Sequence, residues 1–160
     1  YEAKGASAIS YLPYGLTFNH KHLAEMKAYA GLTRDVIFQP AVGNYAQGML
    51  GAVPVFKELL PRKASAADIH ACLAAAYEGS AFIEVSPIAD IERSADVNPE
   101  VLNNTNRMRL HVFANEARGH VLLVSIYDNL GKGASGAAVQ NLNLMIGADE
   151  SLGVDLPRAA

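Results

Sequence analysis

Two histidines flank a lysine where an extended segment of the sequence gives way to a helix. They form the stretch His20-Lys21-His22, and Glu25 follows three residues later. An imidazole works as a general acid or base near neutral pH, and a neighbouring ammonium attracts an anionic substrate. Exposed histidine pairs without a catalytic role share this spacing, and taken alone it favours that reading. No structural metal site is expected, because no cysteine or carboxylate stands at ligand spacing nearby.

A second stretch with chemical potential runs from Asp128 to Asn141. It leads from an apolar strand through a polar turn into a helix that begins with small residues, among them Gly131, Gly133 and Gly136. Free backbone N–H groups at such a helix start can hold an anion. Neither spaced dinucleotide-binding pattern nor a P-loop is present. Close packing of the helix without a ligand explains the small residues equally well.

The single cysteine, Cys72, is predicted to be buried and unreactive. Its helical neighbours Ile69, Leu73 and Ala76 are apolar, and a cysteine on such a stripe behaves as a small hydrophobic residue. His70 is adjacent in sequence, but adjacent residues on a helix point apart. With one cysteine, an intrachain disulfide is impossible.

Composition bounds the class of protein. Half of the 160 residues are hydrophobic and 18% are charged, a balance typical of a folded domain. The net charge of -3 argues against a general nucleic-acid binder. No apolar run reaches the roughly 20 residues that span a bilayer, and the first residues lack the pattern of a signal peptide. A cytoplasmic location is therefore predicted.

Helical and extended patterns alternate irregularly along the chain. Helices are predicted over residues 21–30, 65–79 and 134–146, the last with an apolar stripe through residues 139, 142, 145 and 146. Strands are predicted over residues 9–19, 35–38, 48–56, 82–85, 110–114 and 120–127, with the last two forming a hairpin. Pro54 in the segment 48–56 indicates either a sheet edge or an early end of the strand. Residues 91–105 are predicted to form a loop, and the whole chain 1–160 to form one α+β domain.

Several segments resemble, in order, the C-terminal half of N-acetyl-gamma-glutamyl-phosphate reductases of the shorter variety. The specific ones are an HxHxxE segment, His20–Glu25, and a DNLxKGAxGxAVQN segment, Asp128–Asn141. Residues 1–2, 38–49 and 104–106 support them, so the similarity covers nearly the whole chain. Aspartate-semialdehyde dehydrogenases carry a similar DNLxKGAAxxAVQ helix, and that segment alone does not separate the two families.

The resemblance implies a fold and a chemistry. The implied fold is an α+β domain with a mixed, mainly antiparallel sheet and helices on one face, like the C-terminal domains of glyceraldehyde-3-phosphate and aspartate-semialdehyde dehydrogenases. The other face would mediate self-association into a dimer or tetramer. The implied reaction is reduction of an acyl phosphate by NADPH, through a cysteine thioester, to a semialdehyde and phosphate.

The resemblance also assigns roles to particular residues. The catalytic acid and base would be His22, with His20 as the alternative, and the substrate-binding residues would be Lys21 and Glu25. The residues beside the nicotinamide of NADP would be Asn129, Gly131, Lys132 and Gly133.

Three departures from the family pattern accompany the resemblance. The catalytic cysteine motif and the glycine-rich nucleotide loop are missing, and both are expected in a nucleotide-binding domain upstream of Tyr1. Ala41 and Gln47 stand where a His and an Arg are usual in the longer variety. The chain alone is therefore expected to be inactive. Two alternatives stay open: the equivalent half of an aspartate-semialdehyde dehydrogenase, and a non-catalytic dimerising or ligand-binding module.

Overall fold

The computed structural model describes residues 10–60, 62–89 and 94–154. They fall into two compact units, one ending at Ala46 and the other beginning at Gln47. Among the helices in these ranges, none combines the length and the apolar character that a membrane crossing requires. The predicted strand start at Ile9 and the segment Tyr1-Glu2 lie outside the described residues. A single domain over residues 1–160 stays a prediction.

The first unit contains a small antiparallel sheet and one helix. Strand β1 (Tyr11–Pro13) pairs with strand β2 (Ala41–Gly43), and helix α1 spans His22–Tyr29. The helix ends close to its predicted end, because Gly31 adopts a left-handed backbone conformation with φ of +63°. The sheet and the helix together fix the ends of the segment that carries the two histidines.

The strand predicted over residues 35–38 is wrong. These residues pair with no strand in the described part of the chain, and β2 begins only after Pro40. Ile37 is 86% exposed, so the apolar run is not covered by a sheet. Strand preference mainly reflects packing against a neighbouring strand, and β1 offers a partner to only three residues.

The second unit is built on a four-stranded mixed sheet. Its strands are β3 (Met49–Phe56), β4 (Ile83–Val85), β5 (Met108–Asn115) and β6 (His120–Tyr127), in the spatial order β3-β6-β5-β4. The β3–β6 and β5–β6 pairs are antiparallel and the β4–β5 pair is parallel. The predicted hairpin is confirmed, and Gly119 closes its turn with φ of +66°. Strand β3 lies at an edge and continues past Pro54, so the first of the two alternatives that Pro54 indicated holds.

Helix α2 (Ala66–Ala76) covers one face of this sheet. The predicted capping box is present: the Ser65 side chain accepts from the Asp68 N–H, and the Asp68 carboxylate accepts from the Ser65 N–H. Ile69 and Leu73 of the helix pack against buried sheet residues, among them Val112 and Val121.

The prediction that Cys72 is buried is wrong, since this side chain is exposed. The helix face that contacts the sheet passes through Ala66, Ile69 and Leu73, which follow the three-to-four residue helical spacing. Cys72 lies about one residue's rotation, roughly 100°, away from Leu73 around the helix axis. Two residues of the predicted stripe, Ile69 and Leu73, therefore face the sheet, and Cys72 lies outside the contacting face.

The opposite face of the sheet is covered in part by the loop before β5. Val124 and Ile126 of β6 form a buried cluster with Leu102, and Val97 packs against it. Residues 94–105 contain no strand or regular helix, as the sequence predicted, and residues 91–93 of that loop lie outside the described residues. The observed architecture confirms the predicted α+β class with a mixed, mainly antiparallel sheet.

Helix α3 (Gly136–Ile146) begins two residues later than predicted, because a π-helical turn, Gly131–Ser135, precedes it. Its buried residues are polar, Gln140 and Asn143, whereas Leu142, Met145 and Ile146 are exposed. Asn143 donates from Nδ2 to the carbonyl oxygens of residues 150 and 152 at 3.2 and 2.8 Å. The helix is therefore anchored by hydrogen bonds, and much of its apolar stripe faces outward.

Candidate functional site

A buried carboxylate organises the end of strand β6 in the second unit. Asp128, directly after the strand, is 2% exposed. It accepts hydrogen bonds from Gln47 Nε2 at 3.1 Å and from the backbone N–H groups of Asn104 and Leu130, each at 2.8 Å. Hydrogen bonds to an ionised acceptor are the stronger kind. Asp128 therefore holds three separate segments of the chain around one point.

These segments border an open recess of about 350 Å³ with a mixed polar and apolar lining, within the size range of small-molecule sites. Its wall is formed mainly by amide and hydroxyl side chains and by the small residues that lead into α3. The lining includes Gln47, Asn104, Thr105, Asn106, Ser135 and Val139. Such a surface suits a flat, polar ligand that forms hydrogen bonds along its edge.

Gln47 links the segments on both sides of the recess. Its side-chain Nε2 also donates to Asn104 Oδ1 at 2.9 Å. Its backbone carbonyl oxygen accepts from Asn103 Nδ2 at 3.1 Å. The adjacent Gly48 N–H donates to Asn129 Oδ1 at 2.7 Å. Gly48 has φ of +113°, a conformation that side chains strongly disfavour. The carbonyl end of Asn129, a predicted cofactor-binding residue, is therefore engaged within the chain.

The glycines of the turn pack against neighbouring segments of the same unit. A Cβ on Gly131 would lie 2.7 Å from the Thr105 carbonyl oxygen, and one on Gly136 would collide with Asn106 Oδ1. A Cβ on Gly133 would lie 3.0 Å from the Tyr127 ring. Internal packing thus requires small residues here without any ligand, and contact of Gly131 and Gly133 with a cofactor stays a prediction.

Lys132 is turned toward the interior of the second unit. Its Nζ donates to Gln140 Oε1 at 2.7 Å and lies 5.5 Å from the centroid of the Phe82 ring. Gln140 is buried, accepts also from Asn106 Nδ2 and donates to Glu150 Oε1 at 2.7 Å. Burial lowers the pKa of the Lys132 ammonium, with Glu150 opposing the effect. Lys132 therefore joins the turn to α3, and its role in cofactor binding stays a prediction.

The histidine segment belongs to the first unit and begins α1. His20 is half-buried, and its ring contacts the rings of Phe38 and Tyr14 at centroid distances of 5.0 and 5.9 Å. The ring of His22 meets that of His20 edge-on at 4.7 Å. The two histidines thus form one cluster, with one ring held inside it and the other at its rim.

The remaining predicted residues of this segment face outward. His22, Lys21 and Glu25 are exposed, and Glu25 lies three residues after His22 in the first turn of α1. Residues with this spacing are neighbours on a helix surface, and a carboxylate in the first turn is favoured by the helix dipole. An imidazole, an ammonium and a carboxylate therefore stand together at an accessible helix start, a set suited to proton transfer and anion binding.

Sequence reasoning missed the framework around the recess. Asp128 and Gln140 were seen only as parts of a motif, and Gln47 only as a substitute for an arginine. Asp128 was detectable in principle, because a carboxylate between an apolar strand and a glycine-containing turn commonly accepts backbone N–H groups. The pairing of Gln47 with Asn104 joins residues 57 positions apart, and no local pattern reports such a contact.

The α+β architecture with its mixed, mainly antiparallel sheet is consistent with a domain of the semialdehyde dehydrogenase type. The family model for the semialdehyde dehydrogenase dimerisation domain matches residues 4–129, and the chain belongs to this family.

Among curated relatives, the chain is 56% identical to an N-acetyl-gamma-glutamyl-phosphate reductase of Chelativorans sp. over 149 residues, 91% of this chain and 48% of that protein. It is 53% identical to the protein of the same name from Mesorhizobium japonicum over 150 residues, 92% of this chain and 48% of the relative. A Pseudomonas putida protein named N-acetyl-gamma-glutamyl-phosphate reductase 2 is 45% identical over 140 residues. The chain spans about half the length of these relatives.

Proposed function

We propose that this chain is the catalytic and dimerisation half of an NADPH-dependent reductase of arginine biosynthesis. The reductase would convert N-acetyl-glutamyl 5-phosphate to N-acetylglutamate 5-semialdehyde and phosphate. The observation that carries the proposal is the 56% identity, over 91% of the chain, to a protein named for this activity. A cytoplasmic location forms part of the proposal.

The histidine segment would manage the proton of a cysteine that belongs to the rest of the complete enzyme. That thiolate attacks the acyl carbon, phosphate leaves, and a thioester results. His22 would accept the thiol proton and later return a proton to the departing thiolate, with His20 as the alternative. The exposed ammonium of Lys21 would attract the substrate's anionic groups. Glu25 would contribute to the substrate site from the first turn of α1.

The recess beside Asp128 would receive the nicotinamide end of NADP. Its size and its amide-rich, glycine-containing wall match a flat ring that carries a carboxamide. Bound NADPH supplies the hydride that reduces the thioester. The residues proposed to lie beside the ring are Asn129, Gly131, Lys132 and Gly133, of which Gly131 lines the recess. Asp128 and Gln47 would keep this wall in place before the cofactor arrives.

Self-association would use the sheet face opposite α2. At the end of the sheet where the β5–β6 hairpin turns, this face presents Phe56 of β3 and Leu122 of β6, which are 52% and 38% exposed, beside Pro54. Leu50, further along β3, lies on the same face because its register partner is Ile126. An exposed apolar sheet face of this kind is typical of an interface between subunits. The match to a dimerisation domain agrees with a homodimer or a larger homo-oligomer.

The outward face of α3 would contact the nucleotide-binding half of the complete protein. Leu142, Met145 and Ile146 are 53%, 84% and 67% exposed. Three large apolar side chains that are neighbours on one exposed helix face are unfavourable in water and indicate a covering partner. The relatives extend over about twice the length of this chain, which leaves room for such a partner within the same polypeptide.

A growth experiment tests the proposed function. The complete gene is expressed in a bacterium that lacks this reductase and requires arginine. Growth without arginine is expected from the complete gene, and no growth from residues 1–160 alone, because the catalytic cysteine motif is not in this segment. Failure of the complete gene, despite expression of folded protein, would contradict the proposal.

A further inference from the structure

His20 holds the start of helix α1 with both its backbone and its ring. Its carbonyl oxygen accepts from the Leu23 N–H at 3.0 Å. Its ring Nδ1 accepts from the backbone N–H of His22 at 3.2 Å. The residue at the cap position, Lys21, makes no capping hydrogen bond with its own side chain. The imidazole of His20 therefore satisfies one of the N–H groups that a helix start leaves without an intrahelical partner.

This contact restricts what the His20 ring can do. A ring nitrogen that accepts a hydrogen bond carries no proton, so this contact places the His20 ring proton on Nε2. To serve as a base through Nδ1, His20 would have to release the His22 N–H. A cap contact and a proton-accepting role at the same atom exclude each other.

The packing around His20 fixes its orientation. Phe38 contacts the ring nearly at right angles, with an interplanar angle of 75°, and Tyr14 lies on another side. A Cβ on Gly15 would lie 3.8 Å from His20 Cδ2, so the turn before the segment also approaches the ring. The His22 ring stands against this fixed ring at 64°. His20 thus constrains both the backbone and the side chain of His22.

We propose that His20 is a positioning residue that holds His22 in place, and that His22 is the group that transfers the proton. The proposal deepens the proposed function and rests on it, since it divides the work between the two histidines. His20 supplies a hydrogen-bond acceptor to the helix start and a wall for the neighbouring ring. His22 projects from the first turn of α1, where its ring is accessible.

Matched variants of the complete enzyme test this division. His20→Asn retains an acceptor near the position of Nδ1, His20→Leu retains bulk without an acceptor, and His22→Asn removes the proposed acid and base. We expect His22→Asn to lower kcat by about 10²-fold or more, the usual contribution of a general acid or base. We expect His20→Leu to lower kcat by about tenfold with KM nearly unchanged, because a misplaced catalytic group costs rate. His20→Asn should recover most of that loss.

The pH profile of kcat/KM separates the two roles. The limb that belongs to the essential base should persist in His20→Asn and disappear in His22→Asn. The proposal is overturned if His20→Asn loses activity as severely as His22→Asn together with this limb, since His20 would then be the base. Full activity of His20→Leu would also overturn it, because no positioning role would remain.

A measurement of the contact between His20 and His22 tests the positioning role without reference to the reaction. In ¹⁵N NMR of the complete protein, His20 Nδ1 should be unprotonated and Nε2 protonated, and His20→Leu should speed exchange of the His22 amide about tenfold. A protonated Nδ1, or unchanged exchange, would contradict the contact. If the wild-type protein reduces no acyl phosphate, the proposed function fails, and this measurement alone decides whether His20 holds His22.

Discussion

At the scale of single residues, the buried carboxylate of Asp128 holds the segments around the recess together. Its oxygens accept from Gln47, Asn104 and Leu130. Replacing it by Asn leaves one oxygen and adds an N–H₂ group that faces these donors. Each hydrogen bond to a charged partner contributes about 1.5–3 kcal/mol.

We therefore expect Asp128→Asn to lower the free energy of unfolding by about 2–3 kcal/mol, measured by chemical denaturation of the complete protein. Asp35→Asn is the matched control, because Asp35 forms an exposed ion pair with Lys27 and should change stability by less than about 1 kcal/mol. Equal effects of the two substitutions would show that Asp128 is not a structural centre.

His111 is a second residue whose environment has a measurable consequence. It is 7% exposed on β5, stacks on Phe113 at 5.6 Å, and no partner for its Nε2 occurs in the described ranges. Burial lowers the pKa of His111, and Arg109 adds to this, while Asp96 and Glu84 oppose it. The folded protein therefore favours the neutral ring.

As pH falls below about 6.5, the unfolded chain binds a proton at this histidine before the folded chain does. Stability should decrease between the unfolded-state pKa and the lowered folded-state pKa, by at most about 1.4 kcal/mol per pH unit. His111→Leu should remove this slope, whereas His22→Gln, at an exposed site, should keep it. Denaturation between pH 7 and pH 5 measures the effect, and an unchanged slope in His111→Leu would contradict it.

At the scale of elements, the sequence predicts a helix or strand feature correctly where the interaction joins residues close together in the chain. The capping box of α2 was predicted from Ser65 and Asp68, and the edge position of β3 from Pro54, because each depends on nearby backbone chemistry. The segment 35–38 and Cys72 were mispredicted, because strand pairing and the buried side of a helix are decided by distant segments. The recess depends on the same kind of distant contact.

At the start of α3, a Gly→Ala substitution is expected to lower the stability of the protein, the opposite of its usual effect within a helix. Gly→Ala within a helix normally stabilises by up to about 1 kcal/mol. Gly136 has helical backbone angles, but a Cβ there would collide with Asn106 Oδ1. We expect Gly136→Ala to destabilise by about 1–3 kcal/mol, because the core is overpacked at this contact. A neutral or stabilising effect in thermal denaturation would show that the turn is not tightly packed on Asn106.

At the scale of the whole molecule, two exposed apolar surfaces are expected to have different partners. The sheet face around Leu122 would meet a second copy, and the outer face of α3 would meet the nucleotide-binding half. The family resemblance predicts a self-associating face of the sheet. The sequence does not predict which residues of that face stay uncovered. Loop 94–105 covers only part of the sheet, and its contacts with β6 join residues that are distant in sequence.

Two lysine substitutions in the complete protein distinguish these surfaces. Leu122→Lys should weaken self-association at least tenfold, since burying an unpaired ammonium in an apolar interface is costly. Met145→Lys should leave the oligomer intact and raise the KM for NADPH, because it disturbs the contact between halves. Sedimentation velocity reports the first property and steady-state kinetics the second. An unchanged oligomer in Leu122→Lys would rule out this face as the interface.

The most direct test of the proposed function is the reverse reaction of the complete protein. NADPH formation is followed with NADP, phosphate and N-acetylglutamate 5-semialdehyde, and then with aspartate 4-semialdehyde as the competing substrate. We expect rapid, phosphate-dependent oxidation of the N-acetylglutamate compound, with kcat/KM at least about 10²-fold above that for aspartate semialdehyde. A preference for aspartate semialdehyde would assign the chain to the sister dehydrogenases, and no activity with either would contradict a reductase.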